Sequence, residues 1–437
     1  MSNTARNKSM SRFNKIFPWY NGLSSDLLFW VAIDTLFLTV VKNFNASQIV
    51  SLTTLSMITC IILQVPLLKI IKKIGNTNSV KLGTLFLLIS SILLTFGRGY
   101  ISIVIGKIFY EMAFTFKNMA NAILKNNLEL QEKSEDYINI QTKSNTIYAI
   151  VTMIISFIAS ILFNLNNYIP MILCIVFCFI CFILSFYIVD MSSYDKITKQ
   201  SENKPKSKAK YNKIIIMLII SYGLFYPLVN SGQSNGKLFI QQELLLKFSV
   251  EKTSLIIGAI LCVSRIVRVI SNMGFNKIHS KYKEKVGFIL PILLSISIIL
   301  MIVGSIINSF IILKFIIMSL GYIIILFIRD PFKVYIQDLA LRNVDQNSQQ
   351  TLLTTMELSR KIIRTIISLN FTIILLNNPM MIVMVILFAL SIIEVLLSIR
   401  LYKLVSKANR GDCCETEYNI DKDVNIHIPK FSKTSLF

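Results

Sequence analysis

About twelve apolar segments make up most of this sequence, and each is long enough to cross a bilayer as a helix. Most of the 45 Lys and Arg residues fall in every second loop between these segments and in the two tails. The other loops carry only Lys42, Arg98, Lys247 and Lys252. Basic loops stay on the cytoplasmic side of a membrane, so this alternation predicts a multi-pass plasma-membrane protein with both termini in the cytoplasm.

The composition agrees with a membrane protein. Apolar residues make up 54% of the 437 residues and charged residues only 16%, a balance that suits a chain surrounded by lipid. In a soluble protein, a net charge of +22 would suggest binding to nucleic acid. Here most of the excess lies in loops that face anionic lipid headgroups, so we expect contact with the lipid bilayer and no nucleic acid partner.

Sequence motifs for catalysis or cofactor binding are missing. The chain has no Walker-type phosphate loop and no HExxH or GxSxG motif. Cys174, Cys178 and Cys181 share one face of a predicted helix, but no histidine accompanies them, and we interpret them as small packing residues. We therefore expect no enzyme activity, no catalytic residue, no metal site and no cofactor.

The apolar segments form two groups of six. The first group is 24–42, 47–71, 79–97, 100–126, 143–164 and 168–190, and the second is 214–240, 251–275, 285–307, 309–337, 350–376 and 380–403. The predicted organisation is a cytoplasmic N-tail (1–20), an N-terminal six-helix bundle (21–190), a lysine-rich cytoplasmic linker (191–213), a C-terminal six-helix bundle (214–405) and a cytoplasmic C-tail (406–437). We thus expect an all-α polytopic membrane protein with twelve transmembrane helices.

The two groups resemble each other in sequence. The fourth segment contains FKNMANAILKN (116–126) and the tenth contains FKVYIQDLALRN (332–343). A polar loop and a helix with Ile-Ile-Ser follow both stretches. Their common order and spacing predict a duplicated six-helix unit.

The loop after the second segment, LQVPLLKIIKKIGNTNSVK (63–81), is similar to the signature G-x-x-x-D-R-x-G-R-R of the major facilitator superfamily. Gly75 matches its second glycine and Lys73 its first basic position, whereas Leu68 and Lys72 replace its first glycine and its aspartate. This resemblance implies two six-helix bundles that rock to give alternating access. It also implies a central cavity lined mainly by helices 1, 4, 7 and 10.

Two further stretches, RDPFKVYIQDLAL (329–341) and ELSRK (357–361), resemble uncharacterised permeases of low-GC Gram-positive bacteria. The resemblance implies a secondary active transporter that moves a small molecule and works as a monomer. A non-transporting membrane sensor or partner subunit with the same fold is the alternative, because the signature loop is degraded.

Charges inside apolar segments are the first site candidates, since each costs on the order of 2.5–3.5 kcal/mol to insert and usually has a partner. In the N-terminal half these are Asp34, Lys107 and Glu111. Lys107 and Glu111 lie four residues apart and can pair on one helix face. We expect the three to form a polar cluster, either a substrate or proton site or an internal ion-pair staple.

The seventh segment contains Pro227 with several glycines and amides. We expect this helix to be interrupted, with Asn230 and Gln233 lining a cavity. The alternative is an outer helix end that frays into water.

Basic residues exceed acids in the membrane segments of the C-terminal half. Arg268 lies on the eighth segment, and Glu357, Arg360 and Arg364 form a stripe on the eleventh. Guanidinium groups suit carboxylate or phosphate, which favours an anionic or zwitterionic substrate. The alternative is that these arginines hold the two halves together.

Arg329, Asp330 and Pro331 lie near one end of the tenth segment, where we expect the proline to break the helix and form a gate; a simple helix-end charge cluster is the alternative. Both histidines fall outside the apolar segments. Coupling to protons would therefore use a carboxylate, and Asp34, Glu111 and Glu357 are the candidates.

Overall fold

The structure, a computed structural model, describes residues 3–133, 136–191, 213–307, 309–342 and 346–409. Its regular elements in those ranges are helical. They are α1 (Asn3–Leu23), α2 (Leu28–Leu36), a π-helical turn (Phe37–Val41), α3 (Ala46–Phe96), α4 (Gly99–Lys117), α5 (Met119–Glu129), α6 (Asp136–Leu165), α7 (Ile169–Ser185), α8 (Lys213–Leu245), α9 (Val250–Tyr282), a short 3₁₀ turn (Lys283–Lys285), α10 (Val286–Ile306), α11 (Ile311–Arg342), α12 (Gln346–Ile374) and α13 (Met380–Asn409).

Ten stretches in the described ranges are long and apolar enough to cross a membrane. Within the same ranges, two further helices complete a set of twelve. Helix α7 is apolar but shorter, and α12 has a low mean hydropathy because it carries a stripe of charges. Large apolar side chains such as Ile62, Ile101 and Ile312 are exposed on the outer surface, where lipid would cover them. The predicted all-α polytopic fold is confirmed.

A sharp turn at Gly75 divides α3 into two membrane-crossing parts. Gly75 has φ +82° and ψ 171°, a left-handed conformation that a side chain would disfavour. This is the residue that matches the second glycine of the signature loop. Glycine at this position therefore permits the break between the two helical parts.

The connections lie at two ends of the molecule. We define the short-loop end by the connections 42–45, 97–98, 166–168, 246–249 and 375–379. We define the basic-loop end by the Gly75 turn and the connections 130–133 and 283–285. We call residues 3–191 the N-terminal half and residues 213–409 the C-terminal half. The predicted linker (191–213) and C-tail (406–437) lie almost entirely outside the described residues.

The segment predicted as an N-terminal tail forms most of helix α1. Phe13, Phe17 and Tyr20 are fully buried there, in a cluster that includes Ile123 and Leu128 of α5. The apolar face of α1 thus packs on the basic-loop end of the N-terminal half. The search for long apolar segments did not indicate this helix, because polar residues interrupt its apolar positions.

Candidate functional site

The two halves meet through side-chain hydroxyl groups at the short-loop end. Ser47 of α3 donates to the carbonyl of Thr372 on α12 at 3.0 Å, and the hydroxyls of Thr54 and Ser368 lie 2.6 Å apart. On the opposite side of the molecule, Ser254 of α9 donates to the carbonyl of Ser160 on α6 at 3.1 Å. Among the described residues, the hydrogen bonds found between the halves lie in the middle of the helices or towards this end.

An ion pair joins the halves near the middle of the membrane segments. Lys237 Nζ of α8 lies 2.6 Å from Asp34 Oδ1 of α2 and also donates to the carbonyls of Val31 and Ala32 at 3.0 and 2.9 Å. The Lys237 side chain is 7% exposed and that of Asp34 35% exposed. The ammonium group is therefore buried with three acceptors, while the carboxylate still reaches open space.

Helix α2 is irregular next to this pair. The backbone N–H of Thr35 donates to Asp34 Oδ1 at 2.7 Å, and the π-helical turn Phe37–Val41 follows directly. A π-helical turn shifts the register of the hydrogen bonds and is frequent at functional sites. Here the π-helical turn lies next to Asp34, whose carboxylate accepts from the backbone of Thr35 and pairs with Lys237 of the other half.

A polar cavity of about 450 Å³ lies between the halves, and we call it the central cavity. Its walls come from α2, α3, α4, α8 and α12. Its charged lining residues are Asp26, Asp34, Lys107, Glu111, Arg360, Lys361 and Arg364. The structure thus brings Asp34, Lys107 and Glu111 to one cavity, as predicted, and adds the stripe of α12 as the facing wall.

The charges of the central cavity differ in how they are paired. Asp34 pairs with Lys237, and the predicted pairing of Lys107 with Glu111 is not found; the Lys107 ammonium lies 4.3 Å from the ring centre of Tyr110 instead. Among the described residues, no ion pair or hydrogen bond engages the charged groups of Glu111 and Arg364. An acid on α4 and a base on α12 therefore line the same space unpaired.

Glu357 and Arg360 pair with each other on α12. Arg360 Nη2 lies 2.7 Å from Glu357 Oε2, and Tyr222 of α8 donates to Glu357 Oε1 at 2.6 Å. The Arg360 guanidinium also lies 5.1 Å from the ring centre of Tyr226. This group ties α12 to α8 inside the C-terminal half.

The remaining predicted arginines are engaged within the C-terminal half. Arg268 of α9 binds Asp330 of α11 through two hydrogen bonds of 2.6 and 3.0 Å, and Asn272 donates to the same carboxylate at 3.0 Å. Arg329 donates to Gln233 of α8 at 2.8 Å. Arg268 and the predicted gate residues Arg329 and Asp330 thus stabilise helix packing in this structure.

Two predicted helix interruptions are wrong. Helix α8 runs continuously from Lys213 to Leu245 with Pro227 inside it, and α11 runs continuously through Pro331. Each proline removes one backbone donor, but breaking the helix would leave more groups unsatisfied in lipid. Asn230 lies on this continuous helix, is 8% exposed and is not among the residues that line the central cavity.

Lys237 joins the two halves in the structure but was not among the residues predicted from the sequence. A lone lysine inside an apolar segment was the available signal.

The described residues contain no group of three His, Cys, Asp or Glu side chains that could hold a metal ion.

Comparison with known proteins identifies the fold. No protein-family model matches the chain, and no curated protein matches it in sequence. Several solved structures match in fold. A bacterial homologue of the iron transporter ferroportin, in an inward-facing state, gives a TM-score of 0.68 at 12% identity over 90% of this chain and 98% of that one.

The solved structures of two other transporters also match this chain in fold. The nucleoside transporter NupG gives a TM-score of 0.67 at 12% identity over 90% of this chain and 99% of that one. The peptide transporter POT gives 0.62 at 11% identity over 92% and 94%. Since these likenesses span nearly the whole chain, its fold is the two-bundle fold of major facilitator transporters.

Proposed function

We propose that the protein is a secondary active transporter of the plasma membrane that moves a small molecule by alternating access. One observation carries this proposal. A polar cavity lies between the two halves, and the hydrogen bonds that join the halves are concentrated towards the short-loop end. An arrangement of this kind exposes a site to one side of the membrane at a time. The basic-loop end lies in the cytoplasm, because its loops carry most of the positive charge.

The substrate that fits the central cavity best is a small zwitterion. Arg364 offers a guanidinium that suits a carboxylate, and Glu111 offers a carboxylate that suits an ammonium group. Both residues line the cavity and have no ion-pair partner among the described residues. The volume of about 450 Å³ accommodates a small organic molecule and not a polymer.

The test is flux into proteoliposomes that contain the purified full chain, with a panel of amino acids, dipeptides, nucleosides and organic anions. Each compound is measured with and without a pH gradient, which also tests coupling to protons. We expect uptake of a zwitterionic compound that exceeds uptake into protein-free liposomes. If no compound is moved under any gradient, the sensor or partner-subunit alternative is favoured.

Two substitutions test the site. Arg364→Gln and Glu111→Gln should each lower uptake at least about tenfold, because each removes a charge-assisted hydrogen bond to the substrate. Arg400→Gln is the matched control, since Arg400 is exposed on α13 and does not line the central cavity. Normal uptake by the folded Arg364→Gln variant would contradict the proposed site.

A further inference from the structure

A second cavity of about 480 Å³ lies between the halves and shares no lining residue with the central cavity. Helix α6 of the N-terminal half forms one wall of this cavity, and α8, α9 and α11 of the C-terminal half form the other. Polar residues on these walls include Asn145, Tyr148, Tyr226, Arg265, Asn272 and Lys333. We call this space the second cavity.

Arg265 is the unusual residue of the second cavity. It is 5% exposed, and its Nε has no hydrogen-bond partner among the residues that the structure describes. No carboxylate in the described part of the chain forms an ion pair with it. A buried guanidinium without a counter-charge carries a desolvation penalty of several kcal/mol, so the site is incomplete without an acceptor.

Arg268 lies one helical turn further along α9 in the same wall, and its guanidinium has a counter-charge. Both of its hydrogen bonds go to Asp330, which neutralises its charge. Asp330 is the acid of this cavity lining, and Arg268 and Asn272 already engage it. Arg265 therefore has no acid left to share within the lining.

The charge of the lining is positive after this pairing. Arg265 and Lys333 remain, and neither forms an ion pair with a described residue. Asn145 and Tyr148 on α6 add neutral hydrogen-bonding groups from the other half. A ligand that meets this set must bring negative charge and several acceptor oxygens.

We propose that the second cavity binds an oxyanion of the phosphate or carboxylate type, held by Arg265 deep in the cavity and by Lys333. The ligand sits between α6 and α9, so it touches both halves and stabilises the arrangement in which they are separated at the basic-loop end. This binding does not depend on transport through the central cavity. Its source is either a soluble anion or the headgroup of an anionic lipid, and both present the same oxygens.

The experiment is thermal unfolding of the purified full chain in a neutral detergent. Inorganic phosphate is titrated at constant ionic strength, with chloride as the balancing anion. In a second arm, phosphatidylglycerol is titrated into the micelles. We expect a saturable rise in unfolding temperature in at least one arm, because a ligand that binds only the folded state stabilises it. The arm that responds identifies the source of the oxyanion.

Three variants locate the effect. Arg265→Gln should weaken the apparent affinity at least about tenfold, as expected for the loss of a charged hydrogen-bond donor. Arg400→Gln, which removes an exposed arginine of α13, should leave it unchanged. Arg364→Gln, in the central cavity, should also leave it unchanged, which separates this proposal from the proposed function.

If Arg265→Gln does not fold, Lys333→Gln serves in its place, because Lys333 is partly exposed and its loss leaves no buried charge. It should weaken the affinity several-fold. The proposal is overturned if neither phosphate nor phosphatidylglycerol shifts the unfolding temperature beyond the chloride control. It is equally overturned if the folded Arg265→Gln or Lys333→Gln variant binds as the unmodified chain does.

Discussion

The short-loop end and the basic-loop end of this molecule are held in opposite ways. At the short-loop end, hydroxyl side chains and close helix contacts join the two halves, as between Thr54 and Ser368. Towards the basic-loop end, two polar cavities separate the halves, and their charged groups are partly unpaired. One end therefore resembles a packed protein interior and the other a binding site open to ligands.

The difference indicates how the closed end could open again. A hydrogen bond between helices inside a membrane contributes on the order of 0.6 kcal/mol on average. A seal built from a few such bonds is worth a few kcal/mol, which is a gap that ligand binding can reverse.

A covalent cross-link at the short-loop end should have the largest effect on transport. The hydroxyls of Thr54 and Ser368 are 2.6 Å apart, so the double variant Thr54→Cys/Ser368→Cys should form a disulfide under oxidation. If alternating access needs this end to open, the oxidised protein should lose substrate flux completely and regain it with reductant. Gel mobility of a protein nicked in the linker measures the cross-link, and flux is measured in the same sample.

The single variants Thr54→Cys and Ser368→Cys are the controls, since the chain has seven cysteines of its own. Oxidation should leave the flux of each single variant unchanged. A cross-linked double variant that still transports would show that this end does not move.

Much of the fold followed from sequence because its causes are local. Segment length and loop charge are set by the bilayer and can be counted without a structure. Stripes such as Glu357, Arg360 and Arg364 were also predictable, because residues three and four apart share a helix face. The continuity of the helices at Pro227 and Pro331 was not, since it depends on the cost of unsatisfied backbone in lipid.

The partners of the charges could not be predicted, because they lie on helices far apart in sequence. Asp34 was a candidate, but its partner Lys237 comes from the other half of the chain. Arg268 and Asp330 were both candidates, yet their bidentate pairing depends on how α9 packs against α11. Sequence thus indicated which charges mattered, and tertiary structure decided which of them are left unpaired.

The next largest effect concerns the ion pair between Asp34 and Lys237, where the two partners are buried to different degrees. Asp34→Asn leaves a buried ammonium without its counter-charge, and we expect it to lower the free energy of unfolding by about 2–3 kcal/mol. Lys237→Met removes the buried charge and leaves a carboxylate that reaches the cavity, so we expect about 1 kcal/mol or less. Thermal unfolding in detergent compares the two variants.

The double variant Asp34→Asn/Lys237→Met is the control for this asymmetry. It should be close to Lys237→Met and more stable than Asp34→Asn, because no unpaired charge remains in it. Equal destabilisation by the two single variants would mean that the burial of Lys237 does not set the energy of this pair.

The smallest predicted effect concerns Gly258 of α9, where the halves approach closely at the short-loop end. A Cβ at this position would lie 2.6 Å from Ser160 Cβ on α6, so Gly258→Ala forces the halves apart there. Overpacking of this kind costs about 1–3 kcal/mol, and only the sealed arrangement is penalised. The yield of the Thr54→Cys/Ser368→Cys cross-link should therefore fall in the Gly258→Ala background.

Gly83 provides the matched comparison inside the N-terminal half. A Cβ at Gly83 would lie 2.8 Å from the backbone nitrogen of Lys117 and 2.9 Å from the carbonyl oxygen of Ala113, both on α4. Gly83→Ala should lower the unfolding temperature and leave the cross-link yield unchanged, because it strains one half and not the contact between halves. If both glycine variants reduced the cross-link yield equally, the yield would depend on the overall stability of the protein and not on the contact between α6 and α9. A selective loss in Gly258→Ala would instead show that the contact between α6 and α9 belongs to the same seal as the α3–α12 contact that the cross-link reports.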